Sequence, residues 1–342
     1  SNGEFALCFR KTKQAFCLCV NKEKKNLINL KFGRLLNQKF LAYLSVGKQV
    51  FRHYVRRCFS VKVDAKLLAN LRKQTGYGLS LCREALLENN NDIETAQGWL
   101  DEQAAKKGWQ KAEKLQGRKT SEGLIGVMVE NNNAAMVEIC CETDFVAQND
   151  FFKVLVARTT AAALSHRKMI VQRGLDLGGT FTHFREVLLT HKLNEMQLSD
   201  SEETVNDLVL QVVGRLGERI MLKRAVTMTT DQDCAIGQYT HGPFTGNIDG
   251  CQMGKYAAVV ALKSTAPDAD NEKMATLATS LSQHIVGMNP SCISNKDGQN
   301  IDKSEILEEQ NYLMDETFTV KELLNNNYVS VIDFLRMECG EQ

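Results

Sequence analysis

The sequence of 342 residues has no apolar run near the roughly 18 residues that a membrane-spanning helix needs. It has no GxxxxGKS/T phosphate loop, no GxGxxG fingerprint, no HExxH and no GxSxG. Its eleven cysteines include no CxxC pair, so neither a zinc module nor a disulfide framework is indicated. The adjacent Cys140 and Cys141 would point to opposite faces of a strand. The six histidines are scattered, and none stands at ligand or triad spacing from a cysteine or carboxylate. His284 lies beside an apolar face, where a satisfied core histidine is the commoner outcome. No enzyme class is positively indicated, and no metal or cofactor is implied.

Acidic residues are scarce at one end only. Residues 1–60 hold 13 Lys and Arg against 2 Asp and Glu, while the remainder holds 29 against 39. A basic leader therefore precedes an acidic body. An acidic body argues against broad nucleic-acid binding, which depends on Lys and Arg at phosphates. Within the leader, Leu35, Leu36, Phe40, Leu41 and Leu44 stand beside Arg34, Lys39 and Lys48. That is the composition of a mitochondrial transit peptide over 1–59, ending near Arg57-Cys58-Phe59-Ser60. The alternative is a basic arm for nucleic acid or anionic lipid.

What is present reads as α+β. Residues 64–105 predict three short helices. Their apolar stripes are broken at Thr75-Gly76-Tyr77-Gly78 and at Asn89-Asn90-Asn91, with Asp92 an N-cap. Residues 106–122, polar and Lys-rich, read as a helical tail passing into a linker. From Gly123 the period changes: a strand to Glu130, a turn at Asn131–Asn133 and a returning strand to Cys141 predict a hairpin. A helix over Phe151–Leu164 follows, then an irregular stretch over 166–182 and a helix near Phe184–Leu193. Val205, Leu208, Val209, Val212, Val213 and Leu216 mark an amphipathic helix. Strands over Ile220–Thr229, Ala235–Thr240 and Tyr256–Lys263, a helix over Lys273–Val286, and a short helix and final strand complete the chain. Strand, turn, strand, helix thus occurs twice, predicting two related α+β subdomains with antiparallel sheets over 123–218 and 219–342.

Several segments carry a resemblance. Leu71-Arg72-Lys73-Gln74-Thr75-Gly76-Tyr77-Gly78-Leu79, Asp92-Ile93 and Trp99-Leu100 resemble the N-terminal module of the elongation factor Ts family, which has the ubiquitin-associated (UBA-like) fold. Glu142-Thr143-Asp144-Phe145-Val146-Ala147-Gln148-Asn149 is similar to that family's Thr-Asp-Phe-Val signature. Arg215-Leu216-Gly217-Glu218-Arg219-Ile220, Tyr239-Thr240-His241-Gly242 and His284-Ile285-Val286-Gly287-Met288-Asn289-Pro290 follow in the family's order. The likeness covers about residues 64–340. Gln148 departs from it, standing where the family usually has a basic residue. The 19 residues between Pro290 and Gln310 are too few for the coiled-coil hairpin of many bacterial members.

The resemblance implies a guanine-nucleotide exchange factor that acts by binding, in the mitochondrial matrix, in a 1:1 complex with mitochondrial elongation factor Tu. It implies no direct nucleotide binding, no nucleic acid and no membrane. It places Thr143, Asp144, Phe145 and Val146 in the GTPase near its Mg²⁺ and phosphates, with Arg72, Thr75, Gly76 and Leu79 of the first module against the GTPase domain. His241 and Gly242 support the interface from the second subdomain. Read from context alone, Phe145 and Leu79 are core anchors, Asp144 is an N-cap, Gly76 and Gly78 supply left-handed turns, and His241 is a loop histidine. Three rival readings are a ubiquitin-binding adaptor, an RNA-binding accessory protein and a thiol enzyme using Cys140 or Cys141.

Overall fold

Two aspartates set where the first and third helices begin. The Asp64 carboxylate accepts the Lys66 N–H at 2.7 Å and starts α1 (Ala65–Thr75). Gly76 closes it at φ +68°, a left-handed cap that glycine adopts without strain. Gly78, by contrast, is extended at φ −60° and precedes α2 (Leu79–Glu88). Asp92 caps α3 (Ile93–Leu115) by accepting from Glu94 and Thr95. Leu71, Tyr77, Cys82, Leu86, Ala96 and Leu100 fill the space among these three helices. The computed structural model describes residues 63–174, 183–243, 245–266, 270–295 and 301–341. The predicted transit segment lies outside them.

The helical tail expected at the start of 106–122 runs as far as Leu115. One 23-residue helix of about 35 Å therefore belongs to two cores. Ala96, Leu100 and Ala104 face the three-helix module, whereas Ala112 and Leu115 pack into the main core. Gly108 stands inside this helix. In the fold it lets α3 pass close to the next helical layer.

Two antiparallel sheets follow. The hairpin β1 (Glu122–Glu130) and β2 (Asn133–Cys141) forms as predicted, with Asn131 at φ +53° in the turn. After it come the short α4 (Asp144–Gln148), α5 (Asp150–Gln172), β3 (His183–Leu188), α6 (Thr190–Glu195), α7 (Val205–Leu216) and β4 (Ile220–Thr230). The helix expected near Phe184–Leu193 is thus a strand and then a separate helical turn. Pairing of β3 along β4, from His183 opposite Thr230 to Leu188 opposite Ala225, overrides the local pattern. The stretch 166–182, expected to be irregular, continues α5 to Gln172, and 175–182 lie outside the described residues.

The chain then runs through β5 (Cys234–His241), β6 (Gly246–Ile248), β7 (Cys251–Gly254), β8 (Tyr256–Ser264), α8 (Asn271–Met288), α9 (Val320–Asn326) and β9 (Val329–Glu338). Six strands in the order β3-β4-β2-β1-β7-β6 make one sheet, and β5-β8-β9 make the other. The boundary expected at 218/219 does not follow the hydrogen bonding. β4 pairs with β2 and β3, and β7 pairs with β1, so the first sheet draws on both halves of the chain.

Alternation explains the layering. Ile125, Val127, Ala134, Met136 and Cys140 of the first sheet meet Ile236, Ala257, Val259, Ala261 and Met337 of the second. The opposite face of the first sheet, with Leu124, Val137, Ile139 and Cys141, is covered by α5 and α7. The opposite face of the second, with Ala258, Val260 and Leu262, is covered by α8. The result is helix, sheet, sheet, helix. Cys140 and Cys141 fall on opposite faces, as their adjacency demands. Among the described residues no helix is long and apolar enough to cross a membrane.

Candidate functional site

The end of β2 carries the most unusual surface feature. Thr143 caps α4, its hydroxyl oxygen accepting the Val146 N–H at 3.4 Å. Asp144 is the first residue of that turn rather than a cap, and Asn149 caps α5 instead. Val146 and Ala147 point inward and join the main core. With its inner side anchored, the turn throws Phe145 outward, where the side chain is 79% exposed. Core burial of a phenylalanine is worth roughly 1.5–3 kcal/mol, so the fold leaves that gain unused. The core-anchor reading of Phe145 is overturned. Val146 takes the anchoring part.

The base of this turn is tied to the α7–β4 corner. Gly217, at φ +79°, ends α7 and turns the chain back toward β2. There the Thr143 hydroxyl and N–H donate to the Glu218 carboxylate at 2.9 and 3.1 Å. In return the Arg219 N–H donates to Glu142 at 2.7 Å, and Arg118 donates to the same carboxylate at 3.2 Å. The Arg219 N–H, with Arg118 behind it, holds the Glu142 carboxyl below the usual range.

The three-helix module meets the core close by. A Cβ on Gly76 would lie 2.8 Å from the Phe151 ring, at the first turn of α5. Arg215 of α7 lies between two rings, its guanidinium carbon 4.5 Å from the Tyr77 centroid and 3.8 Å from that of Phe151. It also donates to Asp101 at 3.0 Å, and Tyr77 donates to the same carboxylate oxygen. Burial pushes the Tyr77 hydroxyl up to about 12, against the pull of Arg215. Arg215 and Phe151 thereby fix the module beside the Phe145 turn.

Of the module residues singled out from the sequence, Arg72, Gly76 and Leu79 are exposed, Leu79 by 52%. The helix-core reading of Leu79 fails because it is the first residue of α2 and faces away from the other two helices. Thr75 is buried, and its hydroxyl donates back to the Leu71 carbonyl at 2.6 Å. It cannot serve as a surface contact without unwinding α1.

His241 and Gly242 stand on the second sheet, at the end of β5. The His241 ring stacks with Tyr239 at 6.3 Å and tilts against Tyr256 at 6.4 Å. Gly242, at φ +139°, leaves room for Lys255, whose backbone nitrogen would lie 2.9 Å from an added Cβ. Lys255 reaches Glu122 at 3.9 Å, and Glu122 is the register partner of Cys141, two residues before Thr143. The His241 corner and the Phe145 turn therefore share one end of the sandwich. Nothing in the local residue pattern marks Glu218 or Arg215 as supports, although both lie within a segment that carried the resemblance.

The thiols offer little to chemistry. Cys140 and Cys141 are buried, and burial, with Glu218 nearby, pushes the Cys141 thiol well above its ordinary value. Among the described residues one group has metal-ligand types within reach of one another: Glu138, Cys140 and Cys339. Its carboxylate is already taken by Arg224 at 2.5 Å, the Gly340 N–H at 2.9 Å and Lys223 at 3.5 Å. This network docks the C-terminal turn on the first sheet. His284, a buried residue of α8, has both nitrogens engaged: Nε2 with Gln310 at 2.8 Å, and Nδ1 accepting the Leu313 N–H at 3.1 Å.

Sandwich, tethered module and supported turn together define a protein that presents a rigid apolar projection at one end. Sequence comparison gives that class a family. The family description "Elongation factor TS" matches residues 142–306, and "Elongation factor Ts, mitochondrial, N-terminal" matches residues 51–110. A relative from Nematostella vectensis named "Elongation factor Ts, mitochondrial" is 46% identical over 290 residues, covering 81% of this chain and 99% of its own. Proteins of the same name from Xenopus laevis and Mus musculus are 33% and 35% identical, covering 90% and 82% of this chain and 95% and 85% of their own. The chain belongs to the elongation factor Ts family.

Proposed function

We propose that this protein is a guanine-nucleotide exchange factor for mitochondrial elongation factor Tu. It acts by binding, with no covalent step. An exchange factor must hold the nucleotide-free GTPase better than the GDP-bound form, and that difference is all the energy available to displace GDP. Linkage makes the effect mutual, so bound GDP must weaken the pair by the same factor.

The observation that carries this reading is Phe145, an aromatic ring left in solvent on a turn braced from beneath. Buried aromatic anchors dominate protein interfaces, and a preorganised one loses little freedom on docking. Phe145 enters the GTPase beside its Mg²⁺ and phosphate groups, with Asp144 competing for the partners of the metal. Arg72, Gly76 and Leu79 of the UBA-like module bear on the GTPase domain, and His241 and Gly242 support the contact from the second sheet. The complex is 1:1. The basic leader over 1–59 directs the protein to the mitochondrial matrix, in keeping with the names of the relatives.

The test is release of a fluorescent GDP analogue from mitochondrial elongation factor Tu. Added protein accelerates release, and excess GDP loosens the complex in titration. A complex whose affinity is indifferent to GDP would refute the reading.

A further inference from the structure

We propose that Glu218 is a positioning residue for nucleotide release, acting through Thr143 to aim Phe145; the inference rests on the exchange-factor reading above. The Phe145 side chain is exposed, so its direction is inherited from the backbone of its own turn. That turn has two supports. Below, Val146 and Ala147 are sunk in the core. At its start, Thr143 is held by Glu218.

The Thr143 hydroxyl has one proton and two lone pairs. Its proton goes to Glu218 Oε1 at 2.9 Å, with Oε2 at 3.1 Å. A lone pair is then left for the Val146 N–H, the capping contact of the turn. Glu218 thus selects the hydroxyl rotamer that lets Thr143 cap. It also takes the Thr143 backbone N–H at 3.1 Å, a half-buried donor that would otherwise lose its acceptor.

The bracing is reciprocal. Glu142-Thr143 at the end of β2 and Glu218-Arg219 before β4 exchange carboxylates for N–H groups, Thr143 to Glu218 and Arg219 to Glu142. Each pair lies next to the ladder position where Cys141 faces Ile220. The ladder therefore fixes the spacing of the two corners, and the carboxylates fix their orientation. Removing the Glu218 carboxylate leaves Val146 and Ala147 in place but frees the first residue of the turn. The ring would still reach the partner, at a poorer angle.

The experiment measures the maximal rate of fluorescent GDP release from mitochondrial elongation factor Tu and the concentration giving half that rate. It uses the full protein and its Glu218→Ala, Glu218→Gln, Thr143→Val and Phe145→Ala variants. Glu218→Ala and Thr143→Val should each lower the maximal rate about tenfold, the scale of one hydrogen bond to a charged acceptor. Half-saturation should move much less. Glu218→Gln keeps an acceptor oxygen and should recover most of the rate. Because both residues act through one ring, Glu218→Ala added to Phe145→Ala should slow release no further. Additive losses, or a wild-type maximum with only weaker half-saturation, would overturn the inference. Wild-type protein that fails to accelerate release sinks the exchange-factor reading as well. Acceleration that is lost with Phe145→Ala but intact with Glu218→Ala sinks this inference alone.

Discussion

Gly108 of α3 and Gly214 of α7 are reciprocal: a Cβ on the first would strike the Leu210 carbonyl of α7, and a Cβ on the second would strike the Ala104 carbonyl of α3. The two helices cross backbone against backbone, and Lys111 closes the contact by donating to the Gly214 carbonyl at 2.7 Å. This crossing joins the three-helix module to the sandwich and sets the distance between their exposed groups.

Gly214→Ala should therefore be costly although it raises helix propensity. Overpacking against a backbone that cannot yield costs about 1–3 kcal/mol, against a propensity gain near 1 kcal/mol. Urea unfolding should show a lower midpoint. Unchanged stability would mean that α3 and α7 separate without penalty.

Phe145→Ala should leave stability within about 0.5 kcal/mol, as for a surface substitution. It should slow GDP release from the partner by roughly tenfold or more, the scale of an aromatic hot spot. Thermal unfolding and stopped-flow release check the two halves. A large loss of stability would return Phe145 to the core.

Arg215→Lys should loosen the module without unfolding the sandwich. Lysine cannot stack its charge flat between Tyr77 and Phe151 while reaching Asp101. The loss is about 0.5–2 kcal/mol, and it should appear as faster amide hydrogen exchange in α1 and α2 with β1 and β2 unaffected. Uniform exchange across the chain would show that module and sandwich open together.

His284 should make the fold acid-sensitive. Burial lowers its pKa below the ordinary 6.5, so the folded protein keeps the ring neutral. Its Nδ1 accepts from Leu313, and a protonated ring would set two donors against each other. The unfolded chain takes up a proton below about pH 6.5, while the folded chain resists it. The contribution is complete above pH 6.5 and is lost as pH falls toward the lowered value. The facing groups, Gln310, Tyr312 and the Leu313 amide, offer no carboxylate to offset the charge. His284→Gln should flatten the stability profile between pH 7 and 5, measured by urea unfolding. An equally steep profile would assign the acid sensitivity elsewhere.

Local physics made much of this molecule legible from residues alone. The hairpin at Asn131–Asn133, the Asp92 cap, the stripe from Val205 to Leu216 and the alternation that parts Cys140 from Cys141 each depend on neighbours a few positions away. Segment matching marked Thr143–Val146 as the site for the same reason, since the signature is contiguous. The tertiary structure decided what depends on distant partners. Pairing with β4 turned Phe184–Leu188 into a strand and drew β4 out of the second half. A close helix crossing put Gly108 of α3 against the backbone of α7. Burial divided the signature itself, sending Val146 inward and Phe145 outward. The pairing of Thr143 with Glu218 spans 75 positions. Short-range periodicity reports what a segment can become; which face meets protein and which meets water is settled only when the layers close.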